Sequence, residues 1–133
     1  LSDYYSSGWT QQCNLATFTF NLACCLRPPP GGCNQTENLL TALETVGVLR
    51  EPLAGAAPFQ QVMQEINARQ PVAVGIVWQA GGGHQLNIYG YQQLPSQILL
   101  GDPRFGRQLV AYAGFPAQYQ GGGAWNQSFL TEE

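Results

Sequence analysis

The chain has no lysine, and its five arginines, at positions 27, 50, 69, 104 and 107, lie too far apart to form a basic stripe. A surface that follows a phosphate backbone needs clustered cations, so nucleic acid is not an expected partner. Charged residues make up only 10% of the chain and the net charge is −3. With so few ions, the surface has to be carried by Gln, Asn, Ser, Thr and Gly over a composition that is otherwise globular. Long apolar runs are missing too: stretches such as "VAVGIVW" fall far short of the roughly 20 residues a membrane span needs, so no membrane partner is expected. No charged segment followed by an apolar one opens the chain, so a signal peptide is not visible, although "LSDYY" does not read as an initiation sequence and suggests prior processing. There is one histidine, and "CC" with a third cysteine eight positions on from Cys25 is not the CxxC spacing of structural zinc. No metal and no cofactor are expected, and four cysteines are too few for a disulfide-dense miniprotein.

What is present suits a single domain over residues 1–133, long enough to bury one core. Leu15, Phe18, Leu22 and Cys25 recur at helical spacing and predict a buried helix from about Cys13 to Cys25. "RPPPGGCNQT" then forces a loop, which Cys33 can pin by bonding either Cys24 or Cys25. "TENLLTALETVG" predicts a second helix with Thr36 as cap, a Leu39, Leu40, Leu43, Val46 stripe and Gly47 as terminator. "PFQQVMQEINAR" predicts a third, with Phe59, Val62, Met63 and Ile66 on one side. From Pro71 the period becomes two, and strands are expected at 72–78, 84–91, 97–102 and 107–115, with a short one near "QSFL". The expected fold is therefore α+β, with helices over about 1–70 packed on an antiparallel sheet over about 71–133.

The chemistry-bearing residues are few. His84 follows "GGG" at the mouth of a strand, where it is held by a rigid element and yet accessible. Asp102 ends the next strand, so an antiparallel pairing brings the two to one sheet end, the arrangement by which a carboxylate fixes a histidine tautomer. Cys13 stands at a helix N-terminus, where the dipole favours thiolate. A helix from 13 to 25 would hold its ends about 18 Å apart, which would keep Cys13 from bridging to the "CC" pair and leave only Cys33 as a rival partner.

The order "QQCNLA", "CC…PPPGGCNQ", "ARQPVAVGIVW…GGGHQLNIYGY", "ILLGDPRFGRQLVAY" and "YQGGGAWNQSFLT" resembles the papain-like cysteine peptidases, and more narrowly the bacterial staphopain and avirulence-protease branch. The resemblance implies a papain-like fold and peptide-bond hydrolysis through a thioester acyl-enzyme, with Cys13 as nucleophile, His84 as general base and acid, and Asp102 orienting the imidazole. It implies a peptide or protein substrate and an exported bacterial protein, for which a monomer is expected. Two positions depart from the family: Asn14 follows the nucleophile where a tryptophan is usual, and Ser7 stands where an oxyanion-hole glutamine is usual, with Gln11 and Gln12 as substitutes. These departures keep two alternatives open, a peptide-binding module without turnover and an acyltransferase or transpeptidase using the same triad. Trp78, Gly82 and Gly83 are the expected walls of the substrate cleft.

Overall fold

A computed structural model describes residues 20–33 and 38–132. The chain divides into two compact units between Val48 and Leu49.

In the first unit, Phe20 is helical, but the chain turns away at Asn21, whose φ is +51°, and residues 21–28 are turns and bends. The expected helix to Cys25 is therefore corrected. Its apolar spacing continues through a segment in which Cys24 N–H already bonds the Leu22 carbonyl and Leu26 N–H the Ala23 carbonyl. Cys24, not Cys25, is the buried member of the pair. It is Cys24 that bonds Cys33, which resolves the alternative left open by the sequence. Helix α1 (Leu39–Val46) begins at Asn38, whose side chain accepts the Leu40 N–H at 2.9 Å. Thr36, the expected cap, lies outside the described residues. The helix ends as expected at Gly47, left-handed at φ 74°, with Leu43 as its buried residue.

The second unit contains six strands and one α-helix. Strand β1 (Leu49–Ala54) precedes helix α2 (Phe59–Asn67), and β2 (Val72–Trp78), β3 (Gly83–Gln92), β4 (Gln97–Asp102), β5 (Gly106–Ala111) and β6 (Gly123–Thr131) follow. All pairings are antiparallel, in the order β1-β6-β2-β3-β4-β5. The sequence places β2 and β4 at their observed bounds, but it extends β5 over a segment that becomes a short 3-10 turn at Tyr112–Gly114. Its boundary between helices and sheet near residue 70 is corrected as well, because β1 lies before α2. "LREPLA" carries Pro52 and two charges, which an edge strand tolerates and a sequence pattern does not advertise. β6, expected as a short closing strand, runs nine residues and inserts between β1 and β2.

One sheet face carries the core. Val72, Val74 and Ile76 of β2, Leu86 and Ile88 of β3, and Ile98 and Leu100 of β4 are each 5% exposed or less and cluster with Val62 of α2. Burial of each such side chain contributes about 1.5–3 kcal/mol. Glu65 is also buried on α2, where it accepts from Arg50 of β1 at 2.6 Å and from Gln61 at 2.8 Å.

The β2–β6 contact requires a glycine at its mouth. A Cβ on Gly123 would lie 2.6 Å from the Val77 carbonyl oxygen and 3.0 Å from Ile76 Cγ2. Since the obstacle is backbone, Gly123→Ala is expected to cost about 1–3 kcal/mol, read as a lower urea midpoint at unchanged slope.

Candidate active site

His84 and Asp102 sit where the core face of the sheet runs out. The β3–β4 ladder ends at Asn87↔Gly101, and Asp102, one residue beyond it on β4, and His84, three residues beyond it on β3, lie at the same end of the two strands. The side chains close that distance, and His84 Nε2 lies 2.8 Å from Asp102 Oδ2. The structure thus brings together the two residues the sequence paired, diagonally and not directly across the ladder.

Asp102 is fully enclosed, its side chain 0% exposed against 12% for His84. Both carboxylate oxygens are occupied. Oδ1 accepts the backbone N–H groups of Arg104 (2.7 Å) and Phe105 (2.9 Å), the turn that Asp-Pro initiates. Oδ2 accepts from His84 and from the Tyr119 hydroxyl at 2.7 Å. Burial alone would push the carboxyl up. The bonds from Tyr119, Phe105, His84 and Arg104 outweigh it and hold the group below the usual aspartate range. Burial and the adjacent carboxylate raise the Tyr119 phenol far above its ordinary value, so it stays a donor. Because Asp102 is anionic and can only accept, the facing ring nitrogen of His84 carries the proton, and Nδ1 of the neutral ring keeps its lone pair.

Aromatic rings fix the imidazole plane. Trp78 stacks on it at 5.3 Å and 23°, and Phe105 meets it edge-on at 6.0 Å. Trp78, expected as a cleft wall, is half-buried and borders an open depression with Gln79, Ala117 and Ala124. Gly82, at φ 81°, and Gly83, the first residue of β3, are exposed beside it.

Cys13, Ser7, Gln11 and Gln12 lie outside the described residues. Cys24 and Cys33 are bonded to each other, and Cys25 is disulfide-bonded as well, so none of the three described cysteines offers a free thiol. The helix expected to hold Cys13 away from the "CC" pair does not reach Cys25. Tyr119 and Phe105 were missed by sequence reasoning. Neither stands in a pattern that marks it, since each reaches the site through a loop.

The site is thus an imidazole hydrogen-bonded to a buried carboxylate on the neighbouring strand of an antiparallel sheet. The family described as papain-like cysteine protease AvrRpt2 matches residues 27–120, well over half of the chain, and the chain belongs to that family. His84, Asp102 and Tyr119 fall within the matched segment, whereas Cys13 precedes it. Among curated proteins, none matches the chain.

Proposed function

We propose that this protein is a cysteine peptidase in which His84 is the general base and Asp102 orients it, acting on peptide or protein substrates. The observation that carries this reading is the 2.8 Å contact between His84 Nε2 and an Asp102 carboxylate held by four donors. Nδ1 takes the proton of a cysteine thiol, and the resulting thiolate attacks the scissile carbonyl carbon. The tetrahedral intermediate expels the amine, which takes the proton from Nδ1 and leaves a thioester. Water then gives a proton to Nδ1 and attacks the thioester, releasing the acid and restoring the thiol as Nδ1 returns the proton to sulfur. The Cys24–Cys33 bridge supports an oxidising, exported setting. Among the described residues, nothing favours the binding-module or acyltransferase alternatives.

Cys13 is the candidate nucleophile read from the sequence. That role requires a free thiol. Cys25 is bonded, Cys24 and Cys33 are bonded to each other, and the chain has four cysteines in all, so a free Cys13 and a Cys25 bonded within the same molecule exclude one another. Iodoacetamide labelling near neutral pH, before and after mild reduction, with peptide mapping, decides between them. Rapid labelling of unreduced Cys13 that slows in His84→Ala supports Cys13 as the nucleophile. Labelling of Cys13 only after reduction removes it from that role. Casein hydrolysis by the protein as isolated tests the activity itself.

A further inference from the structure

The two oxygens of Asp102 are anchored by different means. Oδ1 is satisfied by N–H groups two and three residues along its own turn, an arrangement that any Asp-Pro turn of this shape supplies. Oδ2 depends on two non-local donors, His84 and Tyr119. Tyr119 is itself 5% exposed and held from several sides: Trp78 stacks on it at 6.3 Å, Phe105 meets it edge-on at 6.2 Å, and Phe115 packs at 5.4 Å. Its backbone is fixed by the Tyr119 N–H to Pro116 carbonyl bond and by the Gly122 N–H to Tyr119 carbonyl bond. Gly122 adopts φ +82°, where an added Cβ would lie 2.9 Å from the Ala117 carbonyl, so this loop conformation depends on glycine.

We propose that Tyr119 is a positioning residue for the His84–Asp102 pair: its hydroxyl occupies one lone-pair site of Oδ2, so that His84 Nε2–H is confined to the other and Nδ1 is kept as the base. The proposal rests on the reading of that pair as the peptidase base, and it adds a residue that acts through Asp102 without touching substrate. The ionised carboxylate has no proton to give, so the Tyr119 O–H donates and the bond has one direction. Two donors on one oxygen share its charge, which keeps the His84 proton on imidazole and not on Asp102. The groups facing Asp102 are the imidazole from β3, the phenol from the loop before β6 and the N–H groups of its own turn. The Arg104 guanidinium lies 5.1 Å over the Phe105 ring.

Tyr119→Phe keeps the ring stack and removes only the hydroxyl, so it reads the hydrogen bond itself. On labelled casein, kcat is expected to fall about ten-fold with KM little changed, as the loss of one bond to a charged group predicts. The acid limb of the pH profile moves to higher pH, since the carboxylate has lost a stabilising donor. His84 is the chain's only histidine, so its ring ¹⁵N signals are unambiguous and report the tautomer without any assay of activity. In the neutral ring wild type should show protonated Nε2 and unprotonated Nδ1, and Tyr119→Phe should keep that tautomer while its Nε2 signal shifts, because the imidazole is no longer confined to one lone-pair site of Oδ2. A lower melting temperature with an unchanged Nε2 signal and pH profile would reduce Tyr119 to packing and overturn the proposal. A shifted Nε2 signal in a protein that never hydrolyses casein would uphold the Tyr119 role while removing the peptidase reading.

Discussion

His84→Ala is expected to lower casein hydrolysis by at least about a thousand-fold, because it removes both the base that activates the thiol and the acid that protonates the departing amine. The chain has no second histidine to substitute. The fold should survive. Asp102 keeps three of its four donors, Tyr119 and the N–H groups of Arg104 and Phe105, so the buried carboxylate is not stranded. The lost bond and the unfilled space beside Trp78 should together cost about 1–3 kcal/mol, measurable by urea denaturation. A variant that folds, stacks and retains activity within ten-fold of wild type would refute the assignment of His84 as the base.

The second large effect belongs to Asp102→Asn, which changes shape hardly at all. Asparagine suits a site that asks one oxygen to accept and the other position to donate. This site asks both oxygens to accept. If the amide nitrogen takes the Oδ2 position it faces the His84 Nε2–H and the Tyr119 hydroxyl. If it takes the Oδ1 position it faces the backbone N–H groups of Arg104 and Phe105. Either orientation sets donors against donors. The backbone N–H groups cannot change role whereas an imidazole can move its proton, so the amide nitrogen settles at the Oδ2 position and the imidazole is driven to the opposite tautomer, with Nδ1 protonated and unable to act as base; hydrolysis should fall by about a hundred-fold or more. Stability should drop by about 2–4 kcal/mol, since two donors lose their partner in a buried setting. Activity near wild type would show that the carboxylate charge is dispensable.

The same carboxylate gives the protein an acid-sensitive term. Burial raises the Asp102 carboxyl, and its four hydrogen bonds lower it further than burial raises it, so the folded value lies below the unfolded one. Its contribution is therefore complete above the ordinary aspartate value of about 3.9 and is lost as pH falls from there through the folded value. Urea midpoints measured from pH 6 downward should fall less steeply in Asp102→Asn than in wild type over that acidic window.

The sequence by itself determined what local pattern can carry. Alternation in "VAVGIVW" and "QILLGD" gives β2 and β4 at their observed bounds, and Gly47 stops α1, because side-chain period and the glycine backbone act within a few residues. It also placed a histidine at the start of one strand and an aspartate at the end of the next, from which their meeting follows by antiparallel connection. Pairings between distant segments were decided only by the tertiary structure. β1, charged and proline-bearing, becomes a strand because β6 offers it an edge, and β6, which begins 45 residues after β2 ends, inserts between β1 and β2. The helix expected to reach Cys25 ends at Phe20, since turn and disulfide geometry around Cys24 override its apolar spacing. Tyr119 was hidden for the same reason: its hydroxyl meets Asp102 across 17 residues and a loop, and no local period records a contact made only when the core closes.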